Sequence, residues 1–229
     1  MLPMSLKEKL TGRRLFICAM GMFFYASGVA FTKNCNLGIS PIVSVAYALS
    51  LILPVSLGWC TSLCNVVFII IQKALLKREY TPAIMVAQIL MSIIFSLAID
   101  GTALLWSFVQ PAGFFYPLRI LIFIFGCAVL GLGVFLIVQA DFVVLPAEGV
   151  VNAVTKCSKI KFGTVKILFD GTMVLTTAIL TLAFLHELKG IREGTILAVL
   201  LIGTFVKAIA RAIGPGVGTF LKQETHQKV

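Results

Sequence analysis

The chain has few of the charged residues that allow a protein surface to face water. Charged residues are only 12% of its 229 residues, hydrophobic residues are 59%, and the mean hydropathy is +1.05. Soluble domains carry about 25% charged residues, so lipid is the expected solvent for most of this surface. A helix needs about 20 apolar residues to cross the hydrocarbon core. Six runs are long enough: Leu15–Thr32, Leu57–Leu76, Ala83–Ile99, Pro117–Val138, Thr164–Leu185 and Thr195–Ile213.

The chain also lacks the residue patterns of catalysis and metal binding. Its two histidines, His186 and His226, have no acid or base partner nearby in the sequence. The six cysteines follow no CxxC or Cys/His spacing and lie mostly in apolar runs, where a thiol packs as a small hydrophobe. No nucleophile motif or phosphate loop is present. We therefore expect no enzyme, no cofactor and no metal.

Acidic residues are scarce, which leaves a formal net charge of +10. No basic stripe interleaved with aromatics lies in a polar segment, so nucleic acid is not an expected partner. Lys and Arg concentrate in cytoplasmic loops and can contact anionic lipid head groups. With six spans and a cytoplasmic N-terminus, only four basic residues lie on the outer side of the membrane: Lys33, Arg119, Lys189 and Arg192. This predicts a multi-pass protein of the cell inner (plasma) membrane with both termini cytoplasmic.

The two halves of the chain are related at an offset of 105 residues, the interval from Gly28 to Gly133. Matching arginines, glycines and prolines at one register indicate an internal repeat, because apolar composition alone does not produce them. The matches include Arg14 with Arg119, Gly21 with Gly126, Gly28 with Gly133, and Pro41 with Pro146. We predict a first membrane repeat at 1–110, a second at 111–218 and a cytoplasmic tail at 219–229.

Each half holds one short apolar segment behind a proline, Pro41–Leu53 and Pro146–Thr155. Counted as crossings, these segments give four spans per half and a parallel repeat. They are shorter than the hydrocarbon thickness, which favours re-entrant segments. The charge distribution agrees, because eight spans would move the basic cluster at 73–78 outside. The predicted fold is all-α, with six transmembrane helices as a 3+3 inverted repeat and one short re-entrant helix per half.

The loops that lead into the short segments, 33–41 and 138–146, are the predicted functional centre. Secondary transporters with inverted repeats bind solutes where broken helices meet near the midplane. Non-helical backbone at that depth must be buried in protein or face a watery cavity. Polar side chains in the membrane are costly and suggest function. The predicted substrate-binding residues are Asn36, Ser40, Asn65, Asp141, Glu148, Lys166 and Asp170.

Some of these residues also have a purely structural interpretation. Lys166 and Asp170 are spaced i,i+4 on one helix face, so they either form a buried ion pair that fixes the fold or line a solute or proton site. Glu148 is two residues past Pro146, where a negative charge favours a helix start. Pro41 and Pro146 suit the first turn of a helix.

Four glycines have a predicted packing role. Gly21 and Gly28, like Gly126 and Gly133, lie seven residues apart on one helix stripe. Small residues at this spacing let helices approach closely in lipid.

Several short motifs resemble those of the bacterial YczE/YyaS-like integral membrane proteins and, more distantly, the YitT-like ones. The motifs are Leu37–Pro41 (LGISP), Phe162–Lys166 (FGTVK), Ile191–Thr195 (IREGT) and Leu201–Gly203 (LIG). The second half departs from the first of these patterns at Phe142–Pro146 (FVVLP). The resemblance implies a bacterial inner-membrane protein of a family with no settled activity.

The leading hypothesis is transport of a small solute by alternating access. The acids outnumber Lys166 among the seven polar residues, which favours a cationic or zwitterionic solute. A channel with paired re-entrant half-helices and a non-transporting membrane partner protein are the alternatives. The lipid bilayer and a small molecule or ion are the expected partners, and homo-oligomerisation stays open.

Overall fold

The structure, a computed structural model, describes residues 12–77, 79–109 and 113–222. Within these ranges it is all-helical. The helices are α1 (Gly12–Asn34), α2 (Pro41–Ile52), α3 (Leu57–Leu76), α4 (Pro82–Leu105), α5 (Tyr116–Ala140), α6 (Pro146–Ser158), α7 (Phe162–Leu185) and α8 (Glu193–Lys222). All except α2 and α6 are apolar and long enough to cross a membrane, which confirms the six predicted spans.

The centre of the fold is an antiparallel pair of helices, α1 and α5. Gly21 of α1 lies against Ile137, and Gly28 against Leu130, so the contacts run in opposite directions along the two helices. A Cβ added at Gly28 would lie 2.5 Å from the Leu130 nitrogen, and one at Gly133 would lie 2.3 Å from the Tyr25 nitrogen. These distances leave no room for a side chain, so glycine permits the close crossing.

Two arginines join the ends of this helix pair. The Arg14 guanidinium donates to the Ala140 carbonyl oxygen at 3.2 Å, where α1 begins and α5 ends. The Arg119 guanidinium donates to the Cys35 carbonyl oxygen at 2.8 Å, where α5 begins and α1 ends. We call the first the near end of the bundle (Arg14, Ala140) and the second the far end (Arg119, Cys35).

The other long helices surround this pair, and their contacts show which terminus of each helix lies at the near end and which at the far end. Trp106, just after α4, lies at the far end, because its carbonyl oxygen accepts from Asn34 at 3.3 Å. Asp100 is near the C-terminus of α4 and accepts from the Gly58 N–H at 2.8 Å, so α3 begins toward the far end. At the near end, Lys156 of α6 pairs with Glu79 in the α3–α4 loop.

The third predicted span needs one correction, at Asp100. The predicted apolar run ended at Ile99, but α4 continues through Asp100 to Leu105. Asp100 instead stabilises the start of α3, since its carboxylate also accepts from the Ser56 hydroxyl at 2.6 Å. It satisfies a backbone donor that the first turn of a helix leaves unpaired.

Contacts between helices recur in the two halves. α4 packs on α1 as α8 packs on α5, and α6 packs on α3 as α2 packs on α7. The halves differ at their outer helices. α3 and α4 pack along each other, whereas no comparable packing joins α7 and α8 within the described residues.

Candidate functional site

A small cavity with a mostly apolar wall and four polar lining residues lies between the starts of the two short helices. Its volume is about 20 Å³, and its wall combines the first turns of α2 and α6 with the middle of α1 and α3. A site needs about 10–15 Å³ to hold one water molecule, so this space fits one water or a small ion. Its polar lining residues are Tyr25, Thr61, Asn65 and Glu148. We call these four residues the central cluster.

Pro146 explains why Glu148 reaches this point. Proline suits the first position of a helix because its missing N–H needs no partner there, and α6 begins at Pro146. Glu148 is then in the first turn, where the helix dipole favours a negative charge. On the next residue, Gly149, an added Cβ would lie 2.2 Å from the Gln72 amide oxygen, so α6 packs tightly on α3.

Three members of the central cluster have polar atoms that the protein leaves without partners. No hydrogen bond joins the side chains of Tyr25, Asn65 or Glu148 to another described residue. Their polar atoms are open to the cavity, because among the described residues the side-chain atom sealed without a partner is Thr155 Oγ1. Tyr25 is held by its ring, which packs edge-on to Phe95 with centroids 4.9 Å apart. Buried polar groups normally find a partner, so a bound water, ion or solute is the expected partner here.

Lys166 and Asp170 form the ion pair that their spacing predicted. The Lys166 ammonium lies 2.5 Å from an Asp170 carboxylate oxygen, and their side chains are 27% and 14% exposed. Both charges act electrostatically on Glu148, and Asp170 also acts on Tyr25. The pair therefore belongs to the electrostatic environment of the central cluster, although it does not line the small cavity.

The structure does not bring two of the predicted binding residues to this centre. Asn36 and Asp141 follow α1 and α5, with φ of 52° and 44°, where they end their helices in the left-handed conformation. The Asn36 carbonyl oxygen accepts from Arg192 at the far end, and Asp141 lies 3.7 Å from Arg14 at the near end. Their sequence signal was a polar residue before a proline, which also fits a helix C-terminus.

The sequence predicted Ser40 as a binding residue but did not predict two members of the central cluster. Ser40 is 5% exposed at the start of α2 and makes no side-chain capping bond there. Tyr25 and Thr61 were not predicted, because each lies in an apolar run and is a common residue in packed helices. The register offered one signal, since Thr61 is the counterpart of Lys166.

A chain of hydrogen bonds fixes the loop that leads into α6. The Gln72 amide donates to the Pro146 carbonyl oxygen at 3.0 Å, and the Gln88 amide donates to the Val144 carbonyl oxygen at 2.9 Å. Gln88 also donates to Gln72, and the Tyr80 hydroxyl donates to Gln88. Burial raises the pKa of Tyr80, so its hydroxyl stays protonated and able to donate. The non-helical backbone that leads into α6 therefore has side-chain partners.

We expect Tyr80→Phe to lower the free energy of unfolding by about 1–2 kcal/mol, because it leaves the buried Gln88 oxygen without its donor. Tyr116→Phe is the matched control. The Tyr116 hydroxyl bonds Glu193 on the exposed surface, so its loss costs about 0.5 kcal/mol or less. Thermal unfolding of the detergent-purified variants measures both. Equal shifts for the two variants would show that the glutamine network does not hold the loop.

Together, the described residues form an all-helical fold with six candidate membrane-spanning helices around a small cavity that four polar side chains help to line. This architecture suggests a multi-pass membrane protein. The chain belongs to DUF6198, a family of unknown function, whose model matches residues 12–211. No curated protein and no solved structure is significantly similar to it. The YczE/YyaS-like resemblance stays a prediction, because the match does not include that name.

Proposed function

We propose that this protein transports a small solute by alternating access, with the central cluster as its binding site. The observation that carries the proposal is the set of unpartnered polar side chains, Tyr25, Asn65 and Glu148, around one enclosed cavity between two broken helices. A structural cluster would satisfy its own hydrogen bonds. A transport site leaves them for the solute.

An inverted repeat supports the proposal. At the register of 105 residues, Arg14 corresponds to Arg119 and Ala140 to Cys35, and each arginine donates to the matching carbonyl of the other half. The two bonds lie at opposite ends of an antiparallel helix pair. A two-fold axis in the membrane plane relates such bonds, as in inverted-repeat transporters.

The short helices fit re-entrant segments. α1 ends and α3 begins toward the far end, so the chain through α2 returns to the end that it left. α5 ends at the near end, and α6 also finishes there, where Lys156 pairs with Glu79. Each segment thus runs toward the centre as a loop up to its proline and returns to the same end as a short helix. The positive ends of both half-helix dipoles then meet at the cavity.

The two ends of the bundle differ in a way that alternating access requires. At the near end, a cavity of about 420 Å³ opens beside α6 and includes Asn152. Tyr47 is the counterpart of Asn152 in α2, and there Gly190 of the α7–α8 loop packs against the Tyr47 ring. The Gly190 carbonyl oxygen also accepts from the Ile39 N–H at 3.2 Å. We propose that this near-end cavity widens toward the central cluster in the state open to the near end, the predicted cytoplasmic side, while the α7–α8 loop keeps the far end closed.

The test is flux into proteoliposomes that contain the purified protein. A transporter gives saturable uptake and accelerated exchange when unlabelled solute is present on the opposite side. A channel, the second candidate, gives flux that does not saturate and single-channel currents. Stable co-purification with one partner protein, with no flux of any solute, would favour the non-transporting alternative and contradict the proposal.

A further inference from the structure

A third cavity, of about 470 Å³, lies where the two halves of the fold differ most. It is a groove between α7 and α8, whose counterparts α3 and α4 pack along each other. Pro41, at the start of α2, forms its inner wall. The volume falls within the range of about 300–1,000 Å³ that is typical of small-molecule sites.

The groove carries opposite charges on its two sides. Asp170 of α7 lines one side, and Arg192, just before α8, lines the other. One Arg192 nitrogen donates to the Asn36 carbonyl oxygen at 3.2 Å, which positions the guanidinium at the far end. An arginine has five N–H donors, so others remain for a ligand carboxylate.

Most of the remaining wall of the groove is apolar. Ile167 and Val174 of α7 face the same cavity as Ile196 and Val199 of α8. Ile196 is 71% exposed, so the groove opens along the side of the bundle. Lys166 already pairs with one Asp170 oxygen, and a lone cation would leave the guanidinium without a ligand group. A molecule with both charges and an apolar body satisfies all three regions.

We infer that this groove binds a zwitterionic solute with an apolar side chain, of the α-amino acid type. The ammonium group binds Asp170, where it competes with Lys166, and the carboxylate binds Arg192. The apolar body lies between Val174 and Val199. The groove shares no lining residue with the central cavity, so this inference goes beyond the proposed function and adds a second site.

Binding of three compounds that share one branched apolar body tests this inference. L-leucine has both charges, 3-methylbutylamine has only the ammonium group, and 4-methylpentanoate has only the carboxylate. We expect the protein in lipid nanodiscs to bind leucine at least about 10-fold more tightly than either analogue, because each analogue leaves one charged group unpaired. Equal binding of 3-methylbutylamine and leucine would overturn the inference, and so would undetectable leucine binding.

Three variants locate the site. Asp170→Asn and Arg192→Gln should each weaken leucine binding about 10-fold or more. Ile196→Trp should also prevent leucine binding, because the larger side chain fills the groove. Ile196 is exposed, so this substitution should leave the fold intact. Glu187→Gln and Lys207→Gln are charge-matched controls on exposed surface and should change binding less than 2-fold. Unchanged leucine binding in all three groove variants would contradict the assignment.

Binding and flux separate the two proposals. Leucine binding that Ile196→Trp removes, with no flux of any solute in proteoliposomes, would keep the groove as a zwitterion site and contradict transport. Saturable flux of another solute, without leucine binding, would keep transport and overturn the groove. A tightly retained lipid that leucine does not displace would also overturn the groove, because the occupant would then be an acyl chain.

Discussion

Gly133→Leu is expected to prevent the protein from folding into a stable, monodisperse form. An added Cβ at Gly133 would lie 2.3 Å from the Tyr25 nitrogen and 2.6 Å from its Cα. These are backbone atoms, so no side-chain rotation relieves the overlap, and α1 must move away from α5. Overpacking of this kind costs about 3 kcal/mol or more, against a total stability of about 5–15 kcal/mol.

Gly203→Leu is the matched control for this prediction. Gly203 of α8 has nothing within 4 Å of an added Cβ, so leucine there should fold as the native protein does. Gly28→Leu should resemble Gly133→Leu, because its added Cβ would lie 2.5 Å from the Leu130 nitrogen. Size-exclusion profiles and apparent unfolding temperatures measure the effect. Native-like behaviour of Gly133→Leu would contradict the close α1–α5 crossing.

Glu148→Gln is expected to reduce solute flux by about 30-fold or more while the protein keeps its fold. The substitution preserves shape and removes the charge in the first turn of α6. A hydrogen bond to a charged group contributes about 2 kcal/mol, which corresponds to about 30-fold. No described residue hydrogen bonds to the Glu148 carboxylate, so the loss should affect the solute more than the fold.

The measurement is initial flux of whichever solute the proteoliposome screen identifies, together with the unfolding temperature. Glu187→Gln, in the exposed loop after α7, controls for the general loss of one acidic charge and should leave flux within about 2-fold. Asn65→Leu tests a second member of the central cluster and should also reduce flux. Native flux in both Glu148→Gln and Asn65→Leu would show that the central cavity is not on the solute path.

Much of the architecture could be predicted from the chain because lipid imposes strict local rules. A helix is the element that satisfies its own backbone in hydrocarbon, so long apolar runs predicted the six spans closely. The two prolines also predicted the starts of both short helices, at Pro41 and Pro146. Proline removes a backbone donor wherever it lies, and only a first turn tolerates this without cost.

The members of the central cluster were harder to predict, because the polarity of a residue does not determine its depth in the fold. Asn36 and Asp141 are polar and lie beside the broken segments, yet they end helices at opposite ends of the bundle. Tyr25 carries no obvious signal within an apolar helix. It joins Glu148 because the crossing at Gly133 brings the middle of α1 toward the start of α6.

The sequence by itself determined the six candidate spans and the Lys166–Asp170 pair, since hydropathy and an i,i+4 spacing are local properties. The tertiary structure alone decided which polar groups share a cavity, that Asp100 caps α3, and that α7 and α8 separate around a groove. These features depend on packing between residues far apart in the chain, such as Gly133 against Tyr25 and Gln72 against Pro146. A local sequence pattern does not predict such contacts.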